Sequence, residues 1–414
     1  MRPRRLLVAF VLAVVLAGGA VLALAGGGPG GTEVQATISA ADALGGGDTA
    51  GYARTVAPRA FEFPRDHGPH PGFRNEWWYF TGNLDGPGGR RFGYQLTFFR
   101  TALAPMAAPR ASEWGATEVY MAHLALTDER GHTFRAYDRF ARAAAGLAGA
   151  RRAPFRVWLE DWRAEPASRT DGLGLRAAGA GLGLRADGAP FPLHLRASEG
   201  DVAVDLRLGE GKPPVLQGDR GLSRKGPEPG NASYYYSLTR MPTAGTIRMA
   251  GDTFRVRGES WMDREWSTSA LGRDEVGWDW FALQLADGRE LMLYRIRRRD
   301  GGASPFSAGS VVAPDGAATP LSPADARLDV LGHWTSPGGT RYPARWRLRV
   351  PTAGLDLEVR PILADQELNV AVRYWEGAVD VTGTSRGKPV RGRGYVELTG
   401  YGETTRPETG AARR

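Results

Sequence analysis

Acidic side chains and tryptophans are most concentrated in the segment 258–285, which reads GESWMDREWSTSALGRDEVGWDWFALQL. A carboxyl group that aromatic rings shield from water has its charged form disfavoured, so its pKa rises. Asp263 or Glu265 could then act as a general acid near neutral pH. The indole face of Trp266 could stabilise the carbocation that such a protonation produces. Acid catalysis is therefore one interpretation of this segment.

A purely structural role explains the same residues without any chemistry. The aromatic rings would fill the interior of a β-barrel, while the acids would be solvated or paired with Arg264 and Arg273. Four of the twelve tryptophans of the chain lie here: Trp261, Trp266, Trp278 and Trp280. A core does not require so many carboxylates beside so many indoles, so the sequence leaves both interpretations open.

A second aromatic and acidic cluster, NEWWYF, occupies residues 75–80. If this segment is a strand, its two adjacent tryptophans point to opposite faces, so one ring can enter a core while the other, or Glu76, faces something else. The alternative is a strand that closes a barrel, with Glu76 paired to a nearby arginine, Arg74, Arg90 or Arg91.

His123 lies between apolar residues in the segment EVYMAHLALTD. It is either a buried, hydrogen-bonded side chain or a general base or ligand-orienting group. The six histidines form neither an HxH nor an HExxH motif, and the chain has no cysteine, so no metal site is predicted. No GxSxG motif, P-loop or dinucleotide-binding fingerprint occurs, and we expect no cofactor.

Apolar and polar residues alternate along most of the chain from about residue 75. The alternation is clear in the segments 92–98, 119–126, 202–208 and 346–350. This period of two predicts antiparallel sheets with one buried face. The 57 Gly and 28 Pro suit many short strands and turns. Because closure removes exposed strand edges, we predict an all-β protein built from two antiparallel β-barrel domains.

The N-terminal segment predicts export. Residues 1–25 contain a basic start, MRPRR, followed by an uncharged apolar run, which indicates a signal peptide or a retained membrane anchor. Both alternatives place the rest of the chain in the periplasm or outside the cell. Residues 26–58 are Gly- and Ala-rich, and we expect a flexible linker there.

Composition also suggests the remaining boundaries. We expect an N-terminal β-barrel at 59–244, a C-terminal β-barrel at 245–405 and a disordered tail at 406–414. Smaller features are a Gly-rich hairpin at 172–188, a long loop at 209–232 and a short helix at 321–327. The net charge is +8, but the arginines alternate with apolar residues and form no block, so no nucleic-acid partner is expected.

The two halves of the chain share a spacing. The pair Glu-Trp at 76–77 lies as far before Gln-Leu at 95–96 as the same pair at 265–266 lies before Gln-Leu at 284–285. The spacing arises either from a duplicated β-domain or from coincidence.

Several motifs in order resemble the AttH-like / carotenoid 1,2-hydratase family over about residues 60–403. They are NEWWYFTGNL, GYQLTFFR, YMAHLALTD, YYYSLTRM, SWMDREWSTS, GWDWFALQLADGRELMLYRIR and YWEGAVDVTG. The resemblance implies two lipocalin-like β-barrel domains in tandem. It also implies, for hydratase members, addition of water to a terminal C=C of an acyclic carotenoid without a redox cofactor. AttH-like members are often linked to ABC-type export systems.

The suspected catalytic groups of the family's hydratases are only partly present. The segment matching 263–266 reads Asp-His-Asn-Trp in those enzymes, and its His, its Trp and a later Tyr-x-Asp are the suspected groups. Here Arg264 takes the His position and Trp266 is kept, while Tyr294 is followed two residues later by Ile296. Asp263 or Glu265 would then have to supply the proton.

Three functions remain in competition. The first is a binding module that holds a lipid or polyene near the membrane and works with an ABC-transporter permease. The second is the hydratase, with His123 as a base for water. The third is sugar binding or hydrolysis, which is suggested by acids beside Trp side chains that could serve as platforms for sugar rings. The predicted aromatic lining is Trp77, Tyr79, Trp261, Trp266, Trp280 and Tyr294, and the predicted polar anchors are Glu76, His123, Asp263, Glu265 and Gln284.

Overall fold

The computed structural model describes residues 49–105, 112, 114–168, 190–268, 271–272 and 274–402. The predicted signal peptide or anchor, the hairpin at 172–188 and the tail at 406–414 lie outside these residues. Within the described part of the chain, no helix has the length and apolar character needed to cross a membrane.

Antiparallel strands make up nearly all of the regular structure, and the first thirteen form one sheet. They are β1 (Asn75–Asp85), β2 (Arg91–Ala102), β3 (Glu118–Asp128), β4 (Thr133–Arg142), β5 (Ala148–Arg151), β6 (Arg156–Leu159), β7 (Trp162–Pro166), β8 (Leu193–Glu199), β9 (Val202–Leu208), β10 (Val215–Leu216), β11 (Leu222–Arg224), β12 (Ala232–Met249) and β13 (Asp252–Ser267). Their order is β4-β3-β2-β1-β13-β12-β9-β8-β7-β6-β5, and both β10 and β11 pair with β12.

A second sheet contains the ten remaining described strands. They are β14 (Glu275–Leu285), β15 (Glu290–Arg298), β16 (Ala308–Val312), β17 (Ala318–Leu321), β18 (Arg327–Thr335), β19 (Arg341–Val350), β20 (Leu355–Pro361), β21 (Glu367–Asn369), β22 (Arg373–Ser385) and β23 (Lys388–Leu398). Their order is β17-β16-β15-β14-β23-β22-β20-β19-β18, with β21 on β22. Of the three short 3-10 helices in the described residues, Arg65–His67 precedes β1, whereas Pro87–Gly89 and Pro351–Ala353 connect consecutive strands.

Each sheet wraps around its own apolar core, as the period-two alternation predicts. In the first sheet Trp78, Phe80 and Leu96 point inward, and strands β2, β3 and β4 contact β6 across the interior. In the second sheet Phe281 and Trp346 belong to a separate core. The all-β prediction is confirmed: the chain folds as two lipocalin-like antiparallel domains in tandem, the first nearly closed into a barrel.

The division between the sheets follows β13. The expected boundary between residues 244 and 245 falls inside β12, which pairs with β13 along almost its whole length. The hairpin β12–β13 therefore belongs entirely to the first sheet. Sequence composition could not locate this division because both strands are long and carry alternating residues on either side of residue 244.

Three local expectations differ from the structure. The loop 209–232 contains the short strands β10 and β11. The segment 321–327 forms a turn, in which the carboxylate of Asp325 accepts hydrogen bonds from Ser322, and contains no helix. Residues 49–58, assigned to the linker, lie against the first domain, where the Tyr52 hydroxyl donates to the Ala102 carbonyl at 2.9 Å and Thr55 is buried.

The shared spacing of the two halves does not reflect equivalent strands. The Glu-Trp pair at 76–77 lies in β1 and that at 265–266 lies in β13, and these strands are antiparallel neighbours. Glu76 pairs with Trp266 and Trp77 with Glu265 across the ladder. The two Glu-Trp pairs are therefore cross-strand neighbours within one domain and do not mark the same strand of a duplicated one.

Candidate functional site

A partly open pocket of about 140 Å³ lies between the outer faces of the two sheets. Strands β1, β2, β3, β12 and β13 of the first sheet and β14, β15, β22 and β23 of the second contribute its walls. Both domain interiors are filled by apolar side chains, so the pocket depends on how the domains pack together. An interdomain position of this kind is common for small-molecule sites.

Asp263 on β13 is a buried acid that accepts three hydrogen bonds from side chains. Its Oδ1 accepts from Ser237 Oγ at 2.6 Å and from Trp261 Nε1 at 2.7 Å, and its Oδ2 accepts from the Tyr235 hydroxyl at 2.5 Å. Burial is the main reason that the pKa of Asp263 is raised to about 7, with a smaller contribution from the negative charge of Glu265. At neutral pH this acid can therefore donate or accept a proton.

Glu265 projects into the pocket on the same face of β13 as Asp263, two residues away. Its carboxylate forms an ion pair with Lys225 Nζ at 3.2 Å. The same ammonium lies 4.1 Å from the ring centre of Tyr294. Burial lowers the pKa of Lys225, but the opposing charge of Glu265 outweighs it and the net shift is upward, so the lysine is charged.

A second carboxyl pair comes from the other sheet. Glu376 on β22 lies directly opposite Glu397 on β23, and both line the pocket. Burial raises the pKa of Glu397 to about 7. Burial, and then the charge of Glu397, raise the pKa of Glu376 well above its ordinary value. Two carboxylates directly opposed on neighbouring strands repel each other, so the pair holds a proton at neutral pH.

His123 on β3 belongs to a polar chain at one wall of the pocket. Its Nδ1 lies 2.7 Å from the Tyr374 hydroxyl, which also accepts a hydrogen bond from Gln95 Nε2 at 3.1 Å. His123 Nε2 makes no hydrogen bond although it is buried. Burial lowers the pKa of His123 to about 3, so the imidazole is neutral and able to orient a ligand or water.

The structure brings together seven of the residues that the sequence singles out. All of them line the pocket: Trp77, Tyr79, His123, Asp263, Glu265, Trp280 and Tyr294. Trp280 and Tyr79 form an edge-to-face pair with ring centres 5.1 Å apart, and the Trp280 indole donates to the Tyr235 hydroxyl at 3.2 Å. The apolar wall is therefore held in place by aromatic packing and hydrogen bonds.

Trp266 and Glu76 lie on the opposite side of the first sheet from the pocket. Trp266 is buried in the first core and stacks on His70, with ring centres 3.7 Å apart. Glu76 is fully buried and forms ion pairs with Arg100 and Arg264. The expected cation-stabilising role of Trp266 and ligand-anchoring role of Glu76 are therefore wrong for this pocket, because alternation along β1 and β13 turns both side chains inward.

Trp261 and Gln284 occupy supporting positions. Trp261 does not line the pocket, but its indole holds Asp263 from behind. Gln284 donates to the Thr239 carbonyl at 2.8 Å and borders a separate, polar cleft between the sheets. Neither side chain reaches the pocket itself, so neither is a direct ligand contact there.

Sequence reasoning missed Glu376, Glu397, Tyr374, Gln95 and Lys225. Tyr374 and Glu376 belong to the motif YWEGAVDVTG and share one strand face, so a Glu between apolar residues was a readable signal. Glu397, in YVELTG, carried the same signal. Lys225 had none, because it follows β11 in a Gly- and Pro-rich loop that only the folded chain places over the pocket.

The polar groups of the pocket do not form a metal site. Within the ranges that the structure describes, no three His, Asp or Glu side chains are arranged to hold a metal ion. What the arrangement can do chemically is exchange protons between buried carboxyl groups and a molecule enclosed by aromatic rings.

Two lipocalin-like β-domains with an acid-lined pocket between their outer faces define the class of this protein. The chain belongs to the AttH-like family, whose model matches residues 54–401. The family resemblance predicted from the motifs is thereby confirmed. No curated protein matches the chain.

The solved structures that are similar to the chain include an AttH protein and a hydratase. An AttH protein from Nitrosomonas europaea has a TM-score of 0.70 and 33% identity, over 84% of this chain and 99% of that one. Kievitone hydratase from Nectria haematococca has a TM-score of 0.60 and 14% identity, over 84% of this chain and 95% of that one. The second likeness shows the shared fold alone.

Proposed function

We propose that the pocket binds the unsaturated end of an apolar or amphiphilic molecule and adds water to it, as a hydro-lyase that needs no redox cofactor. The observation that supports this most directly is Asp263, a buried acid whose pKa of about 7 matches the requirement of a general acid, in a pocket with aromatic walls. Kievitone hydratase, which has the same fold, supports the proposal by showing that the fold is compatible with hydration.

The reaction balances with groups that the pocket contains. The carboxylic acid form of Asp263 donates its proton to the less substituted carbon of the double bond, leaving a tertiary carbocation. The ring faces of Trp280 and Tyr294 stabilise that cation. A water oxygen then bonds to the cation and loses a proton to a carboxylate, either Asp263 or Glu265, so that one water is added in total.

The size of the pocket limits how much of the substrate enters. A cavity of about 150 Å³ holds a molecule such as benzene, so 140 Å³ encloses only the reacting end of a polyene or lipid. The remainder would leave past the partly exposed lining residues Trp77, Phe99 and Met121. The substrate class is therefore a long apolar molecule with a terminal C=C, such as an acyclic carotenoid or another isoprenoid.

Labelled water tests the reaction. Incubation of the full chain with an acyclic carotenoid in oxygen-18 water should give an alcohol that carries the label, detected by mass spectrometry. Asp263→Asn should fold and lose about 100-fold or more of the rate, because it cannot donate the proton. Asp365→Asn, at an exposed position, should retain full rate. Absence of the label with acyclic carotenoids and shorter acyclic isoprenoids would overturn the proposal.

Ligand binding without turnover is the second candidate function. Arg264 stands where the family's hydratases carry a suspected catalytic His, and the structure places it in an ion pair with Glu76. An exported carrier of a lipid or polyene would use the same aromatic pocket. Lipid extracted from the purified protein and identified by mass spectrometry, together with no hydration, would favour this candidate.

The location and partner belong to the same proposal. The basic start and apolar run of residues 1–25 support export with the folded domains in the periplasm or outside the cell, near the membrane if the segment is retained. An ABC-transporter permease that hands over or receives the apolar ligand is the proposed partner. Cell fractionation checks the location, and co-purification with a permease checks the partner.

A further inference from the structure

The pocket contains a large excess of acidic groups. Four carboxyl groups line it, and among its described lining residues Lys225 is the only Lys or Arg. The four carboxyl groups belong to Asp263, Glu265, Glu376 and Glu397. Lys225 is already paired with Glu265, so the acids of the second sheet have no basic partner in the pocket. Burying acids in this way lowers the stability of the folded protein, which indicates that these acids have a role other than folding.

Glu376 points to a missing ligand. It is 1% exposed, it lines the pocket, and neither of its carboxyl oxygens makes a hydrogen bond. The hydroxyls of Tyr79 and Tyr374 are close enough to influence its pKa but lie outside hydrogen-bonding geometry. Buried carboxyl groups in proteins normally have partners, so an acceptor left open toward a cavity indicates a group that binds there.

Aromatic rings surround the same space. Trp77, Trp278, Trp280 and Tyr294 line it together with the two tyrosines beside Glu376. Ring faces attract cations, and cages of such rings with carboxylates recognise ammonium groups. The protein already shows this mode with a cation of its own, since Lys225 Nζ lies 4.1 Å from the Tyr294 ring centre and 3.2 Å from Glu265.

We infer that this pocket binds a positively charged organic group, of the trimethylammonium or tertiary-ammonium class, between Glu376 and the aromatic walls. The volume of 140 Å³ suits such a group, whose bulk is similar to that of benzene. The inference goes beyond hydration because it requires binding and no turnover. An ammonium also resembles the carbocation of the proposed reaction in charge and bulk, so one site can serve both.

A pair of isosteric probes tests the charge requirement. Choline and 3,3-dimethylbutan-1-ol have the same shape, but the second compound, called the neutral alcohol below, carries a carbon atom in place of the charged nitrogen of choline. Both are titrated into the full chain at constant ionic strength and followed by calorimetry and by the fluorescence of the pocket tryptophans. Choline should bind about tenfold more tightly or better than the neutral alcohol at about pH 8. Equal affinity, or tighter binding of the neutral alcohol, overturns the inference.

A variant pair locates the site. Glu376→Gln keeps the shape and removes the charge, so choline affinity should fall about tenfold while the affinity for the neutral alcohol stays the same. Glu210→Gln changes an exposed residue and should alter neither. Loss of choline affinity in both variants, or in neither, overturns the inference. The comparison of the two probes on the unaltered protein stands even if a variant folds poorly.

Proton release gives a further readout. Groups whose pKa values lie near or above 7 are partly protonated in the empty pocket, so a bound cation should displace protons. The binding enthalpy of choline should then differ between phosphate and Tris buffers, and its affinity should weaken toward pH 5. The titratable groups that face the pocket or Glu376 are Tyr79, His123, Lys225, Tyr235, Asp263, Glu265, Tyr294, Tyr374, Tyr395 and Glu397. A buffer-independent enthalpy with no change in affinity would contradict this.

The two proposals fail separately. Choline binding without incorporation of oxygen-18 leaves the cation site intact and removes the hydratase. Incorporation of the label with no preference for choline over the neutral alcohol leaves the hydratase and removes the cation site.

Discussion

At the scale of single residues, strand alternation decides which acids reach the pocket. Asp263 and Glu265 point outward from β13, whereas Arg264 and Trp266, one position away, point into the first barrel. The same rule separates Trp77 from Glu76 on β1. Residues adjacent in sequence therefore have unrelated functions. A group of residues that is compact in the sequence does not form a compact group of side chains in the structure.

The ion pairs of Glu76 illustrate the structural alternative. This carboxylate accepts from Arg100 and Arg264 and from the backbone amide of His70 at 3.1 Å. Burial raises its pKa, but the two guanidinium groups outweigh burial and hold it well below the ordinary value. A permanently charged, fully paired acid stabilises one arrangement of the barrel and cannot exchange protons with a ligand.

Asp263→Asn should make the protein more stable at high pH. In the folded protein the pKa of Asp263 is about 7, against 3.8 for the ordinary group, so the unfolded chain loses the proton first. Stability therefore falls as pH rises from about 4 to 7, by up to roughly 4 kcal/mol, and stays low above that. The neutral amide removes this loss and keeps an oxygen for Ser237 and Trp261.

Urea unfolding at about pH 5 and pH 8 checks this prediction. The variant should gain about 1–3 kcal/mol over the unaltered protein between the two conditions. Asp365→Asn, at an exposed site, should show no such gain. An equal pH dependence in both variants would mean that Asp263 does not carry a raised pKa.

At the scale of elements, the long strands β12 and β13 contribute both to the core of the first domain and to the wall of the pocket. Their inner faces complete the barrel core, and their outer faces carry Tyr235 and Asp263 to the pocket. Gly258 on β13 lies so close to β1 that an added Cβ would be 2.1 Å from the Asn83 carbonyl oxygen. The backbone approach that positions the pocket strands therefore depends on a residue without a side chain.

Gly258→Ala should destabilise the protein by about 1–3 kcal/mol, because backbone atoms cannot move aside as a flexible side chain can. The matched change Gly332→Ala lies in β18, where the nearest atom to the new Cβ is 3.5 Å away, and should be almost neutral. Chemical unfolding of both variants provides the measurement. Equal stability of the two would show that β1 and β13 can separate without cost.

At the scale of the whole molecule, the pocket exists because two β-domains with filled interiors pack by their outer faces. Direct bonds join them, such as Asn83 Nδ2 to the Gly394 carbonyl at 3.0 Å and Ser223 to the Tyr294 hydroxyl at 2.9 Å. Glu290 on β15 is fully buried and pairs with Lys212 at 2.7 Å and Arg240 at 2.5 Å, which precede and follow β10 and β11.

Glu290→Gln should weaken the contact between the domains by about 2–4 kcal/mol, because it leaves two cations without their buried partner. Glu259→Gln removes a more exposed partner of the same Arg240 and should cost less than about 1 kcal/mol. Thermal unfolding followed by calorimetry should show the first variant separating into two transitions. A single transition with unchanged midpoint would contradict the assigned role.

Much of the fold was predictable because it depends on local alternation. The segments 92–98, 119–126, 202–208 and 346–350 are strands β2, β3, β9 and β19, since a period of two specifies a strand with one buried face. The division between the domains and the turn at 321–327 could not be predicted. The expected boundary at 244 and the expected helix were wrong, because strand length and turn geometry depend on partners far away in the sequence. Alternation also explains why Asp263 and Glu265 share a face with each other.

By itself, the sequence determined the strands, the two all-β domains, the family and the residue types that a proton-transfer pocket needs. Only the tertiary structure decided that the pocket lies between the two domains, that Glu76 and Trp266 face away from it, and that Glu376 lies opposite Glu397. The physical reason is the separation along the chain of the residues that each effect connects. Alternation acts between neighbours in the chain, whereas strand register and domain packing join residues more than a hundred positions apart, such as Asp263 and Glu397.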